Sequence, residues 1–127
     1  MAHTAIQVTG VATVTVQVSD HDRAVAFYTN TLGMEIRRDA TYGPGLRWVE
    51  VAPAGAATTI SLAPPRGEFK AADTGIRLTT PDAERIHTDL RAQRVDVDPE
   101  LLRYPGVPPM FSFRDPDGNT LYLVEAA

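Results

Sequence analysis

The alternation of apolar and polar side chains predicts a first β-strand over residues 13–18. Its three valines fall on one face and its polar side chains on the other, a period of two that is typical of a half-buried strand. Asp20 then favours the start of a helix, whose apolar positions recur at helical spacing as far as Leu32 before Gly33 ends it. The chain is therefore expected to open with a strand followed by an amphipathic helix.

The same order of elements is predicted twice. After the first helix, strands are expected over 34–39, 46–52 and 58–62, separated by turns rich in glycine and proline. The second half has a strand at 76–80, a helix after Asp82, and strands at 95–97, 110–114 and 120–124. Asp20 and Asp82 lie 62 residues apart, close to half the chain. We predict one α+β domain over 1–127 made of two β-α-β-β-β modules, at about 11–63 and 74–125, with a proline-containing linker at 64–73.

The composition narrows the class of protein. A chain of 127 residues is long enough to bury a hydrophobic core without disulfides. It has 12 Lys and Arg against 16 Asp and Glu, a net charge of −4 and no basic run, which argues against nucleic acid or an anionic membrane as a partner. The absence of cysteine excludes disulfides and thiolate metal sites, and no apolar stretch has membrane-spanning length. These features predict a cytoplasmic protein.

Two sets of residues carry a resemblance to a known family. The first is Val18-Ser19-Asp20 followed by Ala26-Phe27-Tyr28 and Leu32-Gly33-Met34, and the second is the segment 113–119 around Asp115-Pro116-Asp117-Gly118. They resemble the opening module and the closing hairpin of the vicinal oxygen chelate superfamily, which contains glyoxalases, bleomycin resistance proteins and extradiol dioxygenases. The resemblance implies two modules whose mixed sheets curl around a cavity, within or across a homodimer. Phe27 and Tyr28 are interpreted as core aromatics and the Asp-Pro-Asp-Gly run as a turn.

The resemblance also implies where a metal would bind. Metal-dependent members place a His, Glu or Gln at one position on each of four strands. The matching positions here are Thr13, Ser61, Gly75 and Tyr122. Hydroxyl groups and glycine are weak ligands for divalent cations compared with imidazole or carboxylate, so we expect no metal and no other cofactor. The three histidines, His3, His21 and His87, lie on different predicted elements and are interpreted as surface or helix-packing residues.

Strand parity assigns nine residues to the inner wall of the expected cavity. They are Thr13, Gln17, Trp48, Glu50, Ser61, Arg77, Met110, Ser112 and Tyr122. Such a wall combines stacking surface with hydrogen-bonding groups and suits a small, partly apolar molecule that carries an anionic group. Each residue has an alternative role as barrel filling or edge surface, and Glu50 and Arg77 could pair with each other. The segment 104–109 is expected to be a loop, either a lid or a rigid connector.

Two classes of function remain open at this point. The first is a metal-independent protein that binds a small organic molecule, as drug-sequestering resistance proteins of the superfamily do. The alternative is an enzyme of the same fold, of lyase, isomerase or dioxygenase type, with Glu50 or Tyr122 as acid or base, Arg77 as the anion holder, or a relocated metal site. In both cases two modules with open sheet edges predict a homodimer.

Overall fold

A computed structural model describes residues 5–127, so the expectation for His3 lies outside the described residues. The first half contains β1 (Thr13–Gln17), α1 (His21–Ala26) continued by a π-helical segment (Phe27–Thr31), β2 (Glu35–Thr41), β3 (Arg47–Ala52) and β4 (Thr59–Ala63). The second half contains β5 (Asp73–Thr80), α2 (Ala83–Ala92), β6 (Leu102–Tyr104), β7 (Val107–Arg114) and β8 (Thr120–Glu125). The β-α-β-β-β order therefore occurs twice, and the predicted fold class is confirmed.

The strands form two four-stranded mixed sheets of the same topology. The first sheet has the order β1-β4-β3-β2 and the second the order β5-β8-β7-β6. β1 pairs with β4 in parallel, and β5 pairs with β8 in parallel. All other neighbouring strands in the two sheets are antiparallel. Neither sheet closes on itself, so β1 and β2 are the edges of the first sheet, and β5 and β6 are the edges of the second.

Both helices begin where the sequence indicates. The carboxylate of Asp20 accepts the backbone N–H of Arg23 at 3.1 Å, and that of Asp82 accepts the N–H of Arg85 at 3.1 Å. The first helical stretch ends before Gly33, whose φ of 72° is in the left-handed region that glycine adopts without strain. No helix of the described residues is long and apolar enough to cross a membrane.

The Asp-Pro-Asp-Gly turn between β7 and β8 connects the two halves. The hydroxyl of Tyr28 donates to the carboxylate of Asp115 at 2.9 Å, and both residues are buried. The side-chain amide of Asn119 donates to the carbonyl of Gln17 at 2.9 Å, while Asp117 accepts from Ser19. The turn residues are therefore more than a generic reversal of the chain, since they fix the position of α1 and β1 against the second sheet.

Two local predictions in the second half are wrong. Residues 95–97 do not form a strand: Val97 makes a single bridge to Phe113, and the following Asp98 and Pro99 end the pairing because proline has no N–H to donate. The sixth strand is instead β6, which is exposed along its whole length and so lacks the alternation that would predict it. The predicted loop at 104–109 is largely the β6–β7 hairpin, with its turn at residues 105–106.

Candidate functional site

Each sheet has one face packed against its helix and one helix-free face. In the first sheet the guanidinium of Arg47 donates to Asp22 of α1 at 2.6 Å, so the neighbouring Trp48 lies on the helix-free face. In the second sheet Phe111 packs edge-on against His87 of α2, with ring centroids 4.9 Å apart, so Ser112 lies on the helix-free face. The alternation that the sequence indicates is therefore present on both sheets.

A continuous hydrogen-bond network covers the helix-free face of the first sheet. The indole Nε1 of Trp48 donates to Glu50 Oε2 at 2.8 Å. The hydroxyl of Thr59 lies 2.8 Å from Glu50 Oε1 and 2.8 Å from the hydroxyl of Thr13, which in turn lies 2.5 Å from that of Ser61. Three adjacent strands supply these residues, β1, β4 and β3, so the sheet register itself brings them together.

Glu50 is an ionised acceptor in this network. Hydrogen bonds from Trp48 and then Thr59 lower the pKa of the carboxyl, and the charge of its cross-strand neighbour Arg38 acts in the same direction. Both carboxylate oxygens already accept a hydrogen bond. A carboxylate in this state is a fixed hydrogen-bond acceptor and a poor general base near neutral pH, where a catalytic base needs a pKa close to the working pH.

Tyr122 and Arg77 lie side by side on the helix-free face of the second sheet. The hydroxyl of Tyr122 donates to Asp73 Oδ2 at 2.6 Å, and this bond raises the pKa of the phenol and lowers the pKa of Asp73. The guanidinium of Arg77 lies over the Tyr122 ring, 4.4 Å from its centroid, and donates to the carbonyl of Gly75 at 2.9 Å. Arg77 takes part in none of the ion pairs among the described residues, and its charge helps to lower the pKa of the neighbouring Asp73.

A second charged group lies beside Tyr122 on the same face. The carboxylate of Asp98 accepts from the hydroxyl of Ser112 and from Arg114 Nη2, the latter at 2.8 Å. These two donors lower the pKa of Asp98, and the same contact raises the pKa of Arg114. The backbone carbonyl of Asp98 lies 2.7 Å from His87 Nε2, which holds the segment against α2. The ion pair between Asp98 and Arg114 is therefore held by Ser112 on the helix-free face and by His87 on the helix-packed face.

The nine predicted wall residues fall into two groups, one on each sheet. Thr13, Gln17, Trp48, Glu50 and Ser61 belong to the first sheet, and Arg77, Met110, Ser112 and Tyr122 to the second. Glu50 and Arg77 do not pair with each other, since Glu50 accepts from Trp48 and Thr59 and Arg77 lies on Tyr122. No hydrogen bond or ion pair within residues 5–127 joins the two groups. That all nine line one pocket stays a prediction.

A groove lies between the two modules. It has a volume of about 740 Å³ and runs from the end of the first helical stretch, at Leu32 and Met34, to the open edge of β5 and to Leu90 of α2. Its lining is mostly apolar, with several threonine hydroxyls, and of the nine wall residues it includes Arg77 alone. The groove is therefore a further concave surface, which adjoins the helix-free face of the first sheet at Thr59 and that of the second sheet at Arg77.

The four positions that hold metal in metal-dependent relatives do not fit a divalent cation here. Thr13 and Ser61 are hydrogen-bonded to each other, Gly75 has no side chain, and Tyr122 is a neutral phenol engaged with Asp73. Nowhere between residues 5 and 127 do three His, Cys, Asp or Glu side chains converge. His21 lies with Nε2 3.0 Å from the carbonyl of Leu62, a helix-to-strand contact.

Sequence reasoning missed three charged residues of the site. Arg38 faces Glu50, but a bulge between Ile36 and Arg38 breaks the parity that would have placed it. Asp73 was assigned to the linker, whereas β5 begins there. Asp98 follows a segment predicted as a strand, and only its spatial neighbours Ser112 and Arg114 reveal its role. At none of these positions does the local sequence pattern show on which face of a strand the side chain lies.

Comparison with known proteins agrees with this geometry. The sequence profile of the Glyoxalase/Bleomycin resistance protein/Dioxygenase superfamily matches residues 10–123. The chain belongs to this superfamily. The match covers both modules, so the resemblance carried by the residues around Asp20 and by the Asp-Pro-Asp-Gly turn is confirmed.

Three proteins that are similar to this chain illustrate the match. A crystal structure of a superfamily member from Sphaerobacter thermophilus DSM 20745 is 35% identical, with a TM-score of 0.87, and the match covers 94% of this chain and 98% of that one. TnmS3, an antibiotic binding protein from Streptomyces sp. CB03234, is 30% identical with a TM-score of 0.80, covering 97% and 100% of the two chains. The uncharacterized protein YetH of Bacillus subtilis (strain 168) is 29% identical over 91% of this chain and 97% of its own length.

Proposed function

We propose that this superfamily member binds a small, partly apolar organic molecule, without a metal ion and without transforming it. The observation that carries the proposal is the state of the two acid–base candidates. Hydrogen bonds lower the pKa of Glu50 and raise the pKa of Tyr122, so both move away from neutrality. Glu50 presents a fixed acceptor, and Tyr122, whose proton is donated to Asp73, presents an accepting oxygen and an aromatic ring. Such groups suit recognition, whereas proton transfer requires a group that changes state near the working pH.

The similarity to TnmS3 supports the same class of function. That protein is an antibiotic binding protein, and its likeness to this chain extends over nearly all of both chains. Sequestration of a small molecule, as in resistance, is therefore the activity that we assign. The cytoplasmic location expected from the composition stays a prediction.

We further propose that a second copy of the chain completes the site. The wall residues lie on two separate helix-free faces, and the groove of about 740 Å³ runs along the unpaired edge of β5. An edge strand beside an apolar groove is a surface that a partner would cover. In a symmetric dimer the first sheet of one protomer would face the second sheet of the other, which would place Glu50 and Arg77 in one cavity.

A thermal-shift panel of metabolites and antibiotics, followed by titration of the compounds that raise the melting temperature, tests the function. Arg77→Ala should weaken an anionic ligand about tenfold or more, as expected for loss of a hydrogen bond to a charged group. Arg91→Ala, at an exposed arginine on α2, is the matched control and should leave affinity unchanged. Glu50→Gln and Tyr122→Phe should change affinity, and the ligand should be recovered unaltered from every variant.

The pH dependence and metal content separate binding from catalysis. Because Glu50 stays ionised and Tyr122 stays protonated, affinity for a ligand that does not itself titrate should be constant between about pH 6 and 9. Turnover with a bell-shaped pH profile, lost in Glu50→Gln or Tyr122→Phe, would instead identify an enzyme. One equivalent of transition metal per chain by elemental analysis, with loss of stability on chelation, would contradict metal independence.

A further inference from the structure

The two outer hairpins carry matching aromatic tips. Tyr42 stands at the start of the β2–β3 turn and Tyr104 at the start of the β6–β7 turn, 62 residues apart, which is also the spacing of the helix caps Asp20 and Asp82. Their side chains are 58% and 61% exposed. Apolar residues flank each tyrosine, namely Leu46 in the first hairpin and Leu102 and Val107 in the second, and all three are exposed.

Both tyrosines lie on the helix-free faces that hold the polar networks. In the first sheet Ala40 pairs with Trp48, and Tyr42 continues the ladder two residues later through its N–H to the carbonyl of Leu46 at 2.9 Å. Tyr42 therefore shares the face of Trp48, because side chains two residues apart on a strand lie on the same side.

The second hairpin has the same arrangement. Leu102 pairs with Met110 across the sheet, and Tyr104 lies two residues further along β6. The extra residue of the irregular pairing is on β7, between Val107 and Met110, so the parity of β6 is undisturbed. Tyr104 therefore shares the face of Met110, and with it that of Ser112 and Tyr122.

On each helix-free face, the polar network therefore lies away from the hairpin turn, and apolar side chains lie beside the turn. On the first sheet the order is Glu50, Trp48 and then Leu46 with Tyr42. Glu50 lies four positions after Leu46, which at about 3.3 Å per residue is roughly 13 Å. A ligand that contacts both ends must be longer than a single six-membered ring, with its polar group at one end and its apolar part at the other.

We infer that the bound molecule is an amphiphile with an extended aromatic ring system, which lies on the Tyr42 and Tyr104 tips while its polar end reaches the Glu50 and Arg77 networks. This inference rests on the proposed function and specifies its ligand class. Tyrosine rings stack on aromatic ligands at little entropic cost. In the proposed dimer, where the first sheet of one protomer faces the second sheet of the other, the Tyr42 and Tyr104 tips would lie on either side of such a ring system. Exposed hydrocarbon at both tips, with polar networks at the base of the same faces, is what such a molecule would match.

Anilinonaphthalene sulfonate, an aromatic amphiphile with an anionic group, is a direct probe. We expect saturable binding with enhanced fluorescence, and Tyr42→Ala and Tyr104→Ala should each raise its Kd about fivefold or more, while Tyr42→Phe and Tyr104→Phe stay within about twofold, since the ring makes the contact. Ile36→Ala is the matched control, because Ile36 is an exposed apolar residue of β2 that pairs with Val51 and lies on the other face. It should leave the Kd unchanged.

The outcomes that overturn the inference are distinct from those that overturn the function. Wild-type affinity in both alanine variants, with weakening in Arg77→Ala, would show that the tips do not contact the ligand while the binding function stands. Failure of the wild type to bind the probe saturably would exclude the ligand class. The function itself fails only if the metabolite and antibiotic panel also gives no binding. Conversion of a dimer to a monomer by Tyr42→Ala or Tyr104→Ala, with ligand affinity intact, would assign the tips to the interface between copies.

Discussion

Single residues on the two helix-free faces show how hydrogen bonding sets chemical behaviour. Glu50 and Tyr122 are the acid–base candidates that the sequence offers, yet their partners Trp48 and Asp73 stabilise the ionised carboxylate and the neutral phenol. A glutamate with unpaired oxygens in a desolvated pocket would instead have its pKa raised toward neutrality. The hydrogen-bond partner of an ionisable side chain, more than its residue type, therefore decides whether it binds a ligand in one protonation state or transfers a proton.

Strand parity predicted part of this arrangement and could not predict the rest. Trp48, Glu50 and Ser61 were placed on one face because β3 and β4 pair without irregularity, so a period of two holds along them. Arg38 and Asp98 were missed because a bulge and an irregular segment precede them, and parity does not carry across such breaks. Hydrogen-bond partners, and hence the pKa shifts, follow from the register between strands, which one sequence does not reveal.

The buried phenol of Tyr28 predicts a loss of stability in alkaline solution. Burial, and next the charge of Asp115, raise the pKa of Tyr28 well above its usual range, so the folded protein keeps the phenol protonated. The unfolded chain ionises it near pH 10. The stabilisation is complete below about pH 10 and is lost progressively as the pH rises from there toward the pKa of the folded state.

Urea unfolding of Tyr28→Phe checks this. The variant should lose roughly 1.5 to 3 kcal/mol of unfolding free energy at neutral pH, the range for a hydrogen bond to a charged group. Between about pH 10 and 11 its stability should fall less steeply than that of the wild type. Tyr42→Phe, at an exposed tyrosine, is the control and should follow the wild type. Parallel pH curves for Tyr28→Phe and wild type would refute the argument.

At the scale of elements, the β7–β8 turn connects the two modules through hydrogen bonds. Its sequence was interpreted as an ordinary reversal, because Asp-Pro-Asp-Gly explains a turn by itself. In the fold its side chains bond to β1, to the first helical stretch and to the segment before β5, contacts that span 47 to 102 residues of sequence. Such long-range contacts cannot be predicted from the local sequence, whereas the helix caps at Asp20 and Asp82 can, because each caps a residue only three positions away.

Asn119 is the residue of this turn whose loss should be most costly. It is 1% exposed, donates to the carbonyl of Gln17 at 2.9 Å and accepts from the N–H of Ala72 at 3.0 Å. Asn119→Ala leaves both backbone groups without these partners and should lower the unfolding free energy by roughly 2 kcal/mol or more. Glu84→Gln, which removes an exposed ion pair with Arg103, should change it by less than about 1 kcal/mol. Equal melting temperatures for the two variants would contradict the assignment.

At the scale of the whole molecule, the proposed function places the two wall halves and the intermodule groove in an assembly of two copies. We expect a homodimer by light scattering at micromolar concentration. Thr79→Lys places a cation on the exposed edge strand that lines the groove, and should raise the dimer dissociation constant about tenfold or more because a charge would have to be desolvated in an apolar interface. Thr88→Lys, at an exposed threonine of α2 away from the groove, is the matched control. A wild-type protein that is strictly monomeric, and that still binds its ligand through both Glu50 and Arg77, would show that the cavity closes within one chain.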